Sequence, residues 1–176
     1  MNDVLPTVYV SILLAFLAAI AWTLLRQILK TRKVEMALSR LQKKLNKEQG
    51  TVQEHYELGS IYLSKKLYTQ AIAEFQKALK AEDVEQEENL APVYNGLGYA
   101  YFGQEQYDLA IRHYKEALKI NPGYVAALNN LGHAYERKKL AAQALEVYEE
   151  ALTRSPDNQV SKRRAESLRK RIAPAK

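Results

Sequence analysis

Leu97-Gly98-Tyr99-Ala100-Tyr101 has two echoes in this chain, Leu58-Gly59-Ser60-Ile61-Tyr62 upstream and Leu131-Gly132-His133-Ala134-Tyr135 downstream. The later pair of glycines lies 34 residues apart and the earlier pair 39, one period plus an insertion of five. A chain that repeats at this spacing has units too small to bury a core alone. It must stack them side by side, each covering the next.

The remaining pattern stays in phase. Twelve residues after each glycine stands an alanine (Ala71, Ala110, Ala144), then an aromatic ring (Phe75, Tyr114, Tyr148), then another alanine (Ala78, Ala117, Ala151). Pro122 and Pro156 close the second and third units, where proline removes a backbone donor and stops a helix. The first unit has Asp83 instead, so its second helix is free to run on by a turn. Small residues at Gly59, Ala71, Gly98, Ala110, Gly132 and Ala144 let two helix axes approach, and large rings fill the space between pairs. Most of the twelve tyrosines are therefore expected in the core. This pattern resembles the tetratricopeptide repeat, although its opening aromatic is replaced by His55, Tyr94 and Leu128.

The fold expected is all-α: an N-terminal transmembrane helix, then a solenoid of three helix–turn–helix repeats and a C-terminal capping helix. The boundaries are an anchor over 1–25, a basic helical linker over 26–50, a repeat domain over 51–172 and a tail over 173–176. The repeats occupy about 52–85, 91–124 and 125–158, with the cap at 159–172.

Val4 to Leu25 carries no charge. At about 1.5 Å per residue this run spans roughly 33 Å as a helix, enough for a bilayer core. Tyr9 and Trp22 stand near its ends, where amphipathic rings favour the interface. Ala19 and Ala21 resemble a signal cleavage site, but the run is long and Met1-Asn2-Asp3 offers an acid and no base, which favours a retained anchor. Arg26, Lys30, Arg32 and Lys33 on the following flank place the repeats on the cytoplasmic or stromal side. Val34, Leu38, Leu41 and Leu45 continue as an apolar stripe, open to packing on the first repeat or to dimerisation.

Charge is segregated. Residues 26–50 carry eight basic and two acidic side chains, 51–158 carry eleven and sixteen, and 159–176 carry seven and one. The acidic excess gathers at Glu82, Asp83, Glu85, Glu87 and Glu88, a solvated loop or a contact for a basic partner. The basic excess ends in Lys162, Arg163, Arg164, Arg169, Lys170 and Arg171, expected on the wet side of the cap. Neither block carries interleaved aromatics or a nucleic-acid module.

No cysteine is present, so thiolate chemistry is excluded. No phosphate loop, paired-histidine metal motif or nucleophile elbow occurs, and His55, His113 and His133 lack ligand spacing. The expectation is a binding module with no enzymatic activity, cofactor, metal, nucleic acid or small-molecule substrate.

In the tetratricopeptide family, fixed positions of each first helix face a concave groove. Carried onto this chain, they nominate Tyr56, Ser60, Asn95, Tyr99, Phe102, Asn129, His133 and Arg137 for partner binding, with Gly103 also in the register. Asn95 and Asn129 would bond the backbone of an extended segment, and the rings would anchor its side chains. The lysine-based clamp by which some members hold a C-terminal carboxylate is missing: its positions hold Tyr56, Ser60, Ala126 and Asn130.

Taken whole, one anchor, a basic connection, an acidic excess after the first of three repeats and a basic terminal helix resemble a narrower family. That family is the tetratricopeptide proteins of cyanobacterial thylakoids and plastids that assist photosystem I assembly, with Met1–Lys33 and Leu90–Phe102 most alike. The resemblance implies a thylakoid protein, anchored by a single pass, that holds photosystem I subunits or assembly intermediates. The alternative is an adaptor for another membrane complex, in secretion, division or the envelope.

Overall fold

The computed structural model of the chain describes residues 4–81 and 90–172, with side chains from Val8 onward. The acidic connection from Glu82 to Glu88, Met1–Asp3 and the 173–176 tail lie outside the described residues. Every regular element described is a helix: α1 Val4–Leu45, α2 Val52–Ser64, α3 Tyr68–Ala78, α4 Leu90–Gly103, α5 Tyr107–Ile120, α6 Val125–Arg137, α7 Ala141–Arg154 and α8 Gln159–Ile172. The chain divides into two units, residues 1–46 and 47–176.

The first unit is one unbroken helix of 42 residues. Its apolar part is long and apolar enough to cross a membrane. The large side chains described up to Leu25, among them Leu13, Phe16 and Trp22, are exposed, as lipid-facing side chains are. The hydroxyls of Thr23 and Thr31 donate back to Ile20 O (2.8 Å) and Gln27 O (3.0 Å). Such bonds satisfy polar groups without water.

The second unit starts with a reciprocal cap. Glu54 N donates to Thr51 Oγ1 at 3.2 Å and Thr51 N to Glu54 Oε2 at 3.3 Å, quenching two orphan donors. From there the helices pair as α2 on α3, α4 on α5 and α6 on α7, with α3 on α4, α5 on α6 and α7 on α8 joining successive pairs. The turn within each pair is the same. Lys66, Glu105 and Lys139 adopt φ of 59°, 61° and 62°, and the next residue's N–H reaches back to Tyr62 O, Tyr101 O or Tyr135 O at 2.9 Å. This is the left-handed helix ending usually given to glycine.

Close approach is set by rings lying on glycines. A Cβ on Gly59 would stand 2.7 Å from the Phe75 ring, one on Gly98 2.5 Å from Tyr114, and one on Gly132 2.7 Å from Tyr148. All three rings and Ala71, Ala110 and Ala144 are buried. Phe75 is also enclosed from its other side by Gly96, where a Cβ would meet it at 2.6 Å.

Two apolar clusters result. One joins Val52, Phe75, Val93 and Leu97; the other runs from Tyr114 through Leu131 and Tyr148 to Leu168 of α8, and Tyr101 packs against both. Burial of each such side chain contributes about 1.5–3 kcal/mol.

Two expectations need correction. The second helix of the first repeat does not run on: α3 has 11 residues against 14 in α5 and α7, and tight bonds Lys80 N→Lys77 O (3.0 Å) and Ala81 N→Ala78 O (3.4 Å) wind it down. The tyrosines are less uniformly interior than expected. Tyr114, Tyr135 and Tyr148 are buried, seven are half-buried, and Tyr9 and Tyr99 are exposed.

Candidate functional site

Neighbouring first helices touch directly, α2 on α4 and α4 on α6, which sets them along the inner wall of the stack. Tyr56 and Ser60 on α2 are half-buried there, Tyr56 tilted against the Phe75 ring at 5.9 Å. On α4, Tyr99 is 48% exposed, more open than Tyr56 or Phe102, the other rings nominated by register.

Phe102 is half-buried between two elements. It meets Tyr107 edge-on at 5.3 Å and His133 of α6 at 4.7 Å. Arg137 lies over the Tyr107 ring at 5.0 Å and within 3.7 Å of Glu105. Phe102, Tyr107, His133 and Arg137 thus form one continuous patch. Burial, then Arg164 and Arg137, lower the His133 pKa against the opposing pull of Glu136. The ring is therefore neutral near pH 7 and suited to stacking.

The asparagines do something the register did not suggest. Asn95 Oδ1 accepts from Asn130 Nδ2 at 2.9 Å, and its side chain also bonds the Tyr124 phenol. Burial and the neighbouring Tyr56 push that phenol up, the Asn95 bond down. Asn129 is turned toward the terminal helix: its Nδ2 donates to Asn158 Oδ1 (3.3 Å) and its Oδ1 accepts from Ser161 Oγ (2.6 Å). The expected backbone reader at Asn129 is thus committed within the chain. Gly103 is also withdrawn from the groove, its Cα packed against the Tyr68 ring.

Sequence register missed Tyr124 and Tyr107, and placed Asn130 only as a carboxylate-clamp position without a cation. Tyr124 immediately precedes α6 and Tyr107 opens a second helix, so neither occupies a first-helix groove position. Their aromatic identity was the only available signal. Of the terminal basic residues, Arg164 and Arg169 are not simply solvated: they pair with Glu136 (3.5 Å) and Glu149 (2.7 Å). Among the described residues no cluster of three or more His, Asp or Glu could hold a metal. The arrangement offers stacking faces, a few polar groups and cations: a surface for a polypeptide segment.

Comparison with known proteins agrees with this architecture. Residues 51–123 and 95–159 match family models described as tetratricopeptide repeat. The chain is 37% identical over 164 residues to the uncharacterized protein ycf37 of Cyanophora paradoxa, covering 93% of this chain and 95% of that one. It is 35% identical to the chloroplastic tetratricopeptide repeat domain-containing protein PYG7 of Arabidopsis thaliana, covering 93% of this chain and 54% of PYG7. Among solved structures, the APC/C hetero-tetramer Cut9-Hcn1 superposes with a TM-score of 0.72 at 24% identity, over 81% of this chain and 28% of that one, a likeness of fold alone.

Proposed function

Since the chain belongs to the ycf37 family of tetratricopeptide-repeat proteins, we propose that it is a membrane-anchored scaffold assisting photosystem I assembly or stability. The observation that carries this reading is the pairing of a membrane-length apolar helix with a repeat groove that exposes Tyr99. The anchor confines the groove to the membrane plane and raises its effective concentration for partners there. The chloroplastic relative and the basic flank after the apolar run support a thylakoid location with the repeats on the cytoplasmic or stromal side. In this reading Tyr56, Ser60, Asn95, Tyr99, Phe102, Asn129, His133 and Arg137 border the binding surface, Asn129 by holding the terminal helix. The groove masks an exposed segment of an unassembled subunit until its neighbour docks.

The test is affinity purification of the tagged protein from gently solubilised thylakoids, followed by mass spectrometry. Photosystem I subunits should co-elute, enriched in sub-complexes over the mature complex. The double variant Tyr99→Ser/Phe102→Ser should lose them while keeping its helical content. Recovery of secretion or division components instead would overturn the assignment, and normal photosystem accumulation in the double variant would remove the groove from it.

A further inference from the structure

The terminal helix keeps the register of the groove. α6 begins at Val125 and α8 at Gln159, one repeat later, so Arg163 follows Asn129, Ser167 follows His133 and Arg171 follows Arg137 in phase. Ser161, Ala165 and Leu168 form the buried face of α8, and two polar tethers fix its neighbouring face to α6. Ser161 Oγ donates to Asn129 Oδ1 at 2.6 Å, and Arg164 pairs with Glu136 at 3.5 Å. Asn158 adds a cap, accepting from Ser161 N at 2.9 Å.

Because Glu136 and Asn129 stand on the wall helix α6, the edge of α8 holding Arg164 is the groove edge. Arg171 lies a further two turns along that same edge, and Arg163 stands about 100° further round, away from the buried face; both are exposed. The carboxylates on this side, Glu105 and Glu136, already face Arg137 and Arg164. Arg163 and Arg171 have no carboxylate partner among the described residues; Arg163 Nε donates only to the backbone Gln159 O, at 3.3 Å.

Resting on the groove reading above, we propose that α8 is a fourth wall helix as well as a cap. Its Arg163 and Arg171 make the far end of the groove a receptor for an acidic stretch of the partner polypeptide, while Tyr99 and Phe102 hold an apolar stretch beside it. Position along the groove wall selects a peptide over a bilayer here. The cations continue a groove wall already lined with rings, and α8 turns Leu168 inward, leaving only Val160 and Ile172, at its two ends, as exposed large apolar residues.

The experiment uses the full chain in neutral detergent and two fluorescent peptides: a leucine pair followed by a glutamate run, and the same peptide with lysines for the glutamates. The glutamate peptide should bind and the lysine peptide should not. Arg163→Gln with Arg171→Gln should weaken binding about tenfold and flatten its salt dependence, with the circular dichroism unchanged. Equal binding of both peptides, or unchanged affinity in the double arginine variant, would overturn the inference. So would loss of binding to phosphatidylglycerol vesicles with peptide affinity intact, which would make α8 a lipid contact. Tyr99→Ser/Phe102→Ser separates the two ideas. If it abolishes binding while the arginine variant does not, the groove stands and only its acidic specificity falls.

Discussion

The first and third repeats are built on one plan yet differ at one pair of positions. In the first, His55 of α2 and Glu74 of α3 form a buried pair, Nδ1 to Oε2 at 2.7 Å, with Lys77 Nζ on the other carboxylate oxygen at 2.8 Å. In the second repeat the same positions hold Tyr94 and His113. Those rings stack at 6.2 Å, and Tyr101 covers His113 at 5.2 Å and 3°. In the third they hold Leu128 and Val147, and nothing polar remains. The family's opening aromatic is thus replaced three ways by three chemistries. The position demands only that each residue match its own neighbour, whereas the ring over the glycine recurs in every repeat because backbone approach depends on it.

That contrast can be broken from its constant side first. Gly59→Val, Gly98→Val and Gly132→Val should each destabilise the second unit by about 3 kcal/mol, since each new Cβ would clash with an aromatic ring at 2.5–2.7 Å. Urea unfolding of the three variants measures this; one cheap glycine would mean that its ring can move aside. From the variable side, Glu74→Val should cost about 2 kcal/mol by stranding His55. Adding His55→Leu, which gives the first repeat the third's chemistry, should recover most of that loss in the same assay. If the double variant is as weak as the single, the pair is not interchangeable.

The middle repeat should respond to acid. Burial, then Arg112, lowers the His113 pKa below 6.5, with Glu116 opposing. A base with a depressed folded pKa stabilises above its ordinary value and loses that contribution as pH falls through 6.5 toward the folded pKa. His133 adds a loss of the same sign. Thermal unfolding of His113→Val should therefore lose stability less steeply between about pH 6.5 and pH 5 than the parent. The smallest effect is at the shared turn. Lys66→Gly and Lys139→Gly should each stabilise by about 0.5–1 kcal/mol, because glycine occupies positive φ without strain. A loss in either would show that its side chain contributes more than its backbone costs.

Legibility in the sequence followed the same division. Glycine, alanine and ring spacing fixed the helix pairs, because those contacts repeat and periodicity is all a lone sequence displays. Gly96 was passed over because its third-repeat equivalent is Asn130, so no period marks it, and only the packing shows it lying on Phe75. The Asn129–Ser161 bond was hidden for another reason: two ordinary polar residues 32 positions apart give no sign that they meet. Tyr99 and Tyr114 have the same side chain, and their separation into one exposed and one buried ring was legible from register. The partner that Tyr99 would meet was not, because recognition is encoded in both chains.

The ring shared by Gly59 and Gly96 has a mechanical consequence. Between the first two repeats the wall helices are spaced by a rigid aromatic plate that can be neither thinned nor sheared without clashing with backbone. Between the second and third, where Asn130 takes the place of that second glycine, the wall is joined by the Asn95–Asn130 hydrogen bond at 2.9 Å and the Phe102–His133 ring contact at 4.7 Å, neither of which lies against backbone as Phe75 does. A bulky guest would therefore spread the groove at α4 and α6 and leave the joint of α2 with α4 unmoved.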